Sequence, residues 1–181
     1  QANELAKPYH AVLLNIMLYS QNYCPTCQIT ILVFDNYSNH CLANTLEPLR
    51  AANDLSEQPH YRWKIVTLNG AEAVSSSGLR LGADARLSDV DGDVLMVMPS
   101  YGFLTHATVA TSRALQAASR RFKTLAGLDT GSWLLAEAGL LDGYKGTIHW
   151  DEIDRFSERF SDVYVQPDAV VFDRDRVTCG G

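Results

Sequence analysis

The chain has 181 residues, 46% of them apolar and 20% charged, enough apolar material for one globular domain with a sizeable core. Its net charge is −6 and no Lys/Arg cluster appears along it, so this stretch lacks the basic face that contact with DNA phosphates needs. The longest apolar run, Ala11 to Tyr19, is broken by Asn15, is too short to span a bilayer and lacks the basic start of a secretion signal.

Four cysteines in a chain of this length make no dense disulfide framework, so a reducing cytoplasm is the expected compartment. Cys24-Pro25-Thr26-Cys27 has the spacing of redox and zinc sites. Zinc needs a second ligand pair, and Cys41 and Cys179 are single. A redox pair would stand between a strand and a helix, whereas a strand follows this one directly. Two incidental thiols are therefore expected.

Gln28 to Phe34 is apolar and β-branched, the pattern of a buried strand. A turn over Asp35–Asn39 leads to Leu42, Leu46 and Leu49 at helical spacing. Pro48 lies inside that pattern, so the helix is expected to begin late or to kink. Trp63–Leu68 reads as a second strand closed by Asn69-Gly70. Ser75–Gly78 is a loop and Leu79–Ala83 a short strand. Asp93–Met98 is another apolar strand, ending in Pro99-Ser100-Tyr101-Gly102 before a helix over His106–Ser119. Phe122–Ala126 and a helix over Gly131–Leu141 follow, stopped by Asp142-Gly143. Gly146–His149 reads as a short strand. Asp151 suits the cap of a helix with Ile153, Phe156 and Phe160 inward. Val163–Cys179 reads as strands around Asp173–Arg176.

Strands alternating with helices imply an α/β fold with a mostly parallel sheet covered on both faces. Such sheets place their sites at the carboxyl ends of the strands: Asp35–Ser38, Pro99–Gly102, Leu128–Thr130 and His149–Trp150. Gly127-Leu128-Asp129-Thr130-Gly131 has the form of a nucleophile elbow, whose glycines allow a sharp turn that lifts the central side chain above the sheet. The central residue of an enzyme there would be Ser or Cys; here it is Asp129. The positive end of the following helix would lower its pKa and keep it ionised. Alternatively Asp129 simply caps its helix.

From about Ile29 onward the chain resembles the sensor domain of a branch of the AraC-type transcriptional regulators. In these, a class I glutamine amidotransferase-like domain, akin to the isocyanide hydratases and intracellular proteases, precedes a helix-turn-helix module. The matching residues include Leu46-Glu47-Pro48-Leu49-Arg50-Ala51-Ala52-Asn53, Tyr61-Arg62-Trp63, Ser75-Ser76-Ser77-Gly78-Leu79, Ala138-Gly139-Leu140-Leu141-Asp142-Gly143, Thr147-Ile148-His149-Trp150 and Arg159-Phe160. The resemblance implies a flavodoxin-like doubly wound sheet, homodimers, and DNA contact only through the helix-turn-helix module, which lies outside this chain. It divides the chain into an N-terminal extension, 1–27, and a sensor domain, 28–181. In the enzyme relatives a cysteine stands at Asp129, a histidine at His149 and an acid near Cys41. With two of these three altered, no catalytic residue and no cofactor is expected.

Aspartate within Gly127-Leu128-Asp129-Thr130-Gly131-Ser132-Trp133 is similar to the regulators of carnitine and glycine-betaine catabolism. A quaternary ammonium has no N–H to donate, so it is held by aromatic faces and a carboxylate. The expected effector site is Asp129, Thr130, His149, Trp150, Ser100, Tyr101, Gly102 and Phe103, with Trp133 a further ring that could instead face the core. His149 either hydrogen-bonds Asp129 or is a satisfied core histidine. The competing functions are a hydrolase or hydratase using Asp129 and His149, and a ligand-free dimerisation scaffold.

Overall fold

Both faces of the first strand are covered, which is why its sequence does not alternate. A computed structural model describes residues 26–56 and 59–180. Strand β1 (Cys27–Val33) is buried at every position but Gln28. Ile29, Ile31 and Val33 enter one core with Leu42 and Leu49 of helix α1 (Asn39–Ser56). Leu32 and Phe34 enter the other, with Leu115, Leu135 and Phe156. Those three belong to α2 (Val109–Ser119), α3 (Gly131–Glu137) and α4 (Ile153–Arg159). Ala11–Tyr19 and Cys24 lie outside the described residues, and Cys27 is buried within β1.

The main sheet holds seven strands. They are β1, β2 (Tyr61–Thr67), β5 (Ala85–Arg86), β6 (Gly92–Met98), β7 (Phe122–Leu128), β10 (Val170–Asp173) and β11 (Arg176–Cys179), in the order β10-β11-β7-β6-β1-β2-β5. All neighbours are parallel except the terminal hairpin β10–β11. A hairpin of β3 (Ala73–Val74) with β4 (Arg80–Leu81), and a parallel pair of β8 (Lys145–Gly146) with β9 (Tyr164–Val165), stand outside it. This is the expected flavodoxin-like doubly wound sheet, with helices on both faces.

Several boundaries differ from expectation. Helix α1 starts at once and runs through Pro48. The Ser38 hydroxyl accepts from Cys41 N at its start. The interior proline costs about 3 kcal/mol, which burial of Leu42 and Leu49, about 1.5–3 kcal/mol each, offsets. Helix α3 stops at Glu137, four residues before the expected end. Gly139 takes φ 69°, its N–H donates to Ala136 O and that of Leu140 to Leu135 O. This paired closure ends a helix wherever a glycine can turn left-handed. Strand β8 ends at Gly146, and Asp151 does not cap α4 through its side chain. The His149 ring takes that part: its Nδ1 accepts from Asp151 N at 3.3 Å, opening a 3-10 turn over Trp150–Glu152 that leads into α4.

Candidate functional site

Among the described residues four non-glycines adopt left-handed φ: Asn36 (67°), Ser100 (56°), Asp129 (61°) and Arg174 (54°). Arg174 lies in the turn of the terminal hairpin. The other three follow β1, β6 and β7, which are neighbours at the middle of the sheet. Each such residue costs roughly 1–3 kcal/mol and persists only where its surroundings enforce it. Their convergence at adjacent carboxyl ends marks the strand ends around Asp129 as the candidate site.

Close backbone approach enforces the elbow. A Cβ on Gly131 would sit on the carbonyl oxygen of Val97 in β6. One on Gly127 would lie 2.7 Å from Ser132 N and 2.8 Å from its Oγ. The tight return folds α3 against its own strand and leaves Asp129 at the turn. The Thr130 hydroxyl, buried, donates to Ser100 O at 2.7 Å and ties the elbow to the loop after β6. His149 N donates to Asp129 O at 3.0 Å and ties it to the segment after β8.

The Asp129 side chain is half-buried, and its pKa is raised above the ordinary carboxylate value. Burial is the largest cause, and it outweighs the opposing effects of the Ser100 hydroxyl and the His149 ring. The expectation of a lowered pKa is thus corrected: desolvation prevails over the short helix behind the carboxylate. Ser100, 2% exposed, lies within reach of that carboxylate, yet its hydroxyl completes no hydrogen bond of good geometry. The Cys41 thiol faces the same carboxylate from the first turn of α1. Burial, then the charges of Asp129 and Cys179, push its pKa well up and keep it a neutral thiol. Cys179, at the end of β11, pairs in register with Leu128.

The expected residues therefore fall into two groups. Asp129, Thr130, Ser100 and His149 come together. Because His149 Nδ1 accepts from Asp151 N, the neutral ring carries its proton on Nε2. Gly102 takes φ 64°, and Tyr101 beside it is 61% exposed. Trp150 is 72% exposed, its ring 5.5 Å from that of His149. Phe103 and Trp133 pack on each other at 5.3 Å, and Trp133 also meets Phe156 and Phe160 at 6.0 and 5.1 Å. Both rings belong to the core beneath the sheet. Sequence reasoning did not single out Asn36 or Cys179. Their positions, Cys179 as the last residue of β11 and Asn36 within the Asp35–Ser38 segment after β1, are the signal the sequence offers.

Among the described residues no group of three or more His, Cys, Asp or Glu side chains is arranged to hold a metal ion. No described helix is long and apolar enough to cross a membrane. The arrangement supplies one half-buried carboxylate on a left-handed backbone, with the Ser100 hydroxyl and the His149 ring beside it among the described residues.

No protein-family model matches the chain. Over 154 residues it is 36% identical to the HTH-type transcriptional regulator GbdR of Pseudomonas aeruginosa, covering 84% of this chain and 42% of that protein. The chain thus spans less than half the length of that relative. A crystal structure of a ThiJ/PfpI family protein from Pseudomonas syringae superposes with a TM-score of 0.71 at 26% identity, covering 89% of this chain and 66% of the other. That of an AraC family transcriptional regulator from Pseudomonas putida gives 0.71 at 24% identity, with 86% and 84% covered, and speaks for the fold alone.

Proposed function

From the premise that this chain is a homologue of the AraC-family HTH-type regulators and carries the ThiJ/PfpI-type flavodoxin-like fold, we propose that it is their non-catalytic effector-sensing part. Its ligand is a small organic cation of the quaternary-amine class, bound at Asp129 with Thr130, His149 and the Ser100–Gly102 loop around it, and with Trp150 and Tyr101 at the mouth. The observation that carries this reading is the half-buried carboxylate at a strained elbow, whose ionised form burial disfavours. A bound cation restores that form, and a permanently charged one needs no donor in return.

The sensing chain works in the cytoplasm as a homodimer and meets DNA through an attached helix-turn-helix module. The effector would act by favouring one of two arrangements of the dimer or of that attachment, because a ligand of equal affinity for both shifts nothing. The acidic balance of the chain, −6, accords with leaving DNA contact to another module.

Calorimetric titration with carnitine, glycine betaine, dimethylglycine, choline and arginine tests the proposal, on the protein and on Asp129→Ala. Saturable binding of a quaternary amine that disappears in the variant is the expected result. A folded protein that binds none of them, or a variant that binds equally well, refutes it. Turnover of a bound compound would instead favour an enzyme using Asp129 and His149.

A further inference from the structure

We propose that His149 is a proton-controlled cap: its neutral ring closes the turn that opens α4, and protonation releases that turn and gives the ring to Asp129. The inference concerns no ligand and stands apart from the cation reading above.

His149 has φ −44° and ψ 131°, and the chain turns directly after it into Trp150–Glu152. The first N–H groups of such a turn have no partner inside it, and a side-chain acceptor just before it supplies one. An asparagine or serine oxygen does this at any pH. A histidine does it only through an unprotonated nitrogen. Here Nδ1 accepts from Asp151 N at 3.3 Å, so the neutral ring carries its proton on Nε2. A second proton has one place to go, Nδ1, where it takes the lone pair that the cap uses. Charge on the ring and capping of the turn therefore exclude each other.

The charged groups around the ring oppose the cap. His149 N donates to Asp129 O, and the Asp129 carboxylate interacts electrostatically with the ring. Asp151 and Glu152 stand in the turn itself, with Arg155 at 3.7 Å from Glu152. Behind Asp129 the Cys41 thiol stays neutral, and Gly180, after β11, packs against His149 Cα without a side chain. Among the described residues, three carboxylates against one guanidinium thus favour an imidazolium. The cap and the positive end of the turn favour the neutral ring. The exchange falls in the range where histidine side chains change charge, about pH 5 to 8. Its effect reaches the core, because α4 follows the turn directly. That helix carries Phe156, fully buried, and Phe156 and Phe160 pack against Trp133 of α3.

The test is an NMR titration over about pH 5 to 8. It follows the carbon-bound ring protons of His149 and the amide of Asp151, in the protein, in His149→Asn and in Asp129→Asn. In the unaltered protein the two signals are expected to move together with one midpoint. Exchange of the Asp151 amide with solvent, corrected for its intrinsic pH dependence, should quicken about five-fold below that midpoint, as the loss of a cap implies. Asparagine at 149 accepts through its side-chain oxygen at every pH, so the Asp151 amide should then stay still. Asp129→Asn removes a carboxylate that favours the charged ring, so the midpoint should fall. A His149 ring that titrates while the Asp151 amide does not move overturns the inference, and that reading needs no variant. So does an Asp151 amide that moves equally in His149→Asn, or a midpoint unchanged in Asp129→Asn.

Discussion

Substituting Gly127 by alanine tests whether close packing of backbone on backbone creates the elbow. The added Cβ would meet Ser132 N at 2.7 Å, Ser132 Oγ at 2.8 Å and Ser132 Cα at 2.9 Å. Two of those three atoms are main chain, so no rotamer change relieves them, and the first turn of α3 must move off β7. Ser132 is fully buried and Leu135, one turn on, is packed in the core, so the helix cannot swing freely. Overpacking of this kind costs about 1–3 kcal/mol. For a domain of this size that lowers Tm by roughly 2–4 °C per kcal/mol. Moving α3 also moves Asp129, so cation affinity falls together with Tm. Gly82→Ala is the matched control, because a Cβ there meets nothing within 4 Å. It is expected to leave Tm unchanged within a degree or two. Thermal melts of both variants, with calorimetric titration below the transition, decide the matter. A Gly127→Ala protein that melts with the unaltered protein and binds normally would refute the argument from close packing.

Asp129→Asn should stabilise the protein at neutral pH while abolishing cation binding. The sign follows from the raised pKa of Asp129. The folded state holds its proton more tightly than the unfolded one, so stability falls as pH climbs from the ordinary carboxylate value to the raised one, and the loss is complete above it. The advantage of asparagine in Tm should therefore grow as the pH rises above the ordinary carboxylate value of about 4 and close as it falls back to it; a gap that widens on acidification would contradict it. Trp133→Ala should cost about 3–5 kcal/mol in chemical denaturation, because its buried ring packs against Phe103, Phe156 and Phe160. Trp150→Ala, at 72% exposure, should change stability by less than about 0.5 kcal/mol yet weaken binding of a quaternary amine several-fold. Unchanged affinity there would remove Trp150 from the mouth of the site.

The sheet was legible because its central strands are buried on both faces: Gln28–Phe34 and Asp93–Met98 are too continuously apolar to be anything exposed. The elbow was legible because two glycines at fixed spacing have a steric reason that the Val97 carbonyl and Ser132 bear out. Helix α3 was drawn too long because its apolar periodicity continues to Leu141, whereas its end depends on the hydrogen bonds around Gly139. Asp151 suited a cap by residue type, but a histidine two positions earlier does the capping. The direction of the Asp129 pKa was misjudged because local sequence shows the helix behind it and not the depth of burial around it. Asp35–Ser38 reads as a strand-end segment in the sequence, but the left-handed turn at Asn36 within it does not. That turn is held by Val74 and Tyr101, residues brought to it only by the fold.

The left-handed backbone at positions 36, 100 and 129 also acts as a filter on sequence drift. Branched and bulky apolar side chains fit that conformation poorly, and among residues other than glycine Asn and Asp are the most tolerant of it. Substitution at these strand ends is thus channelled toward short polar groups. A lineage carrying this scaffold can vary the polar groups at these strand ends through such changes, while a greasy, inert strand end is hard to reach by single steps. The chemistry of these strand ends is in that sense inherited from the geometry of their main chain.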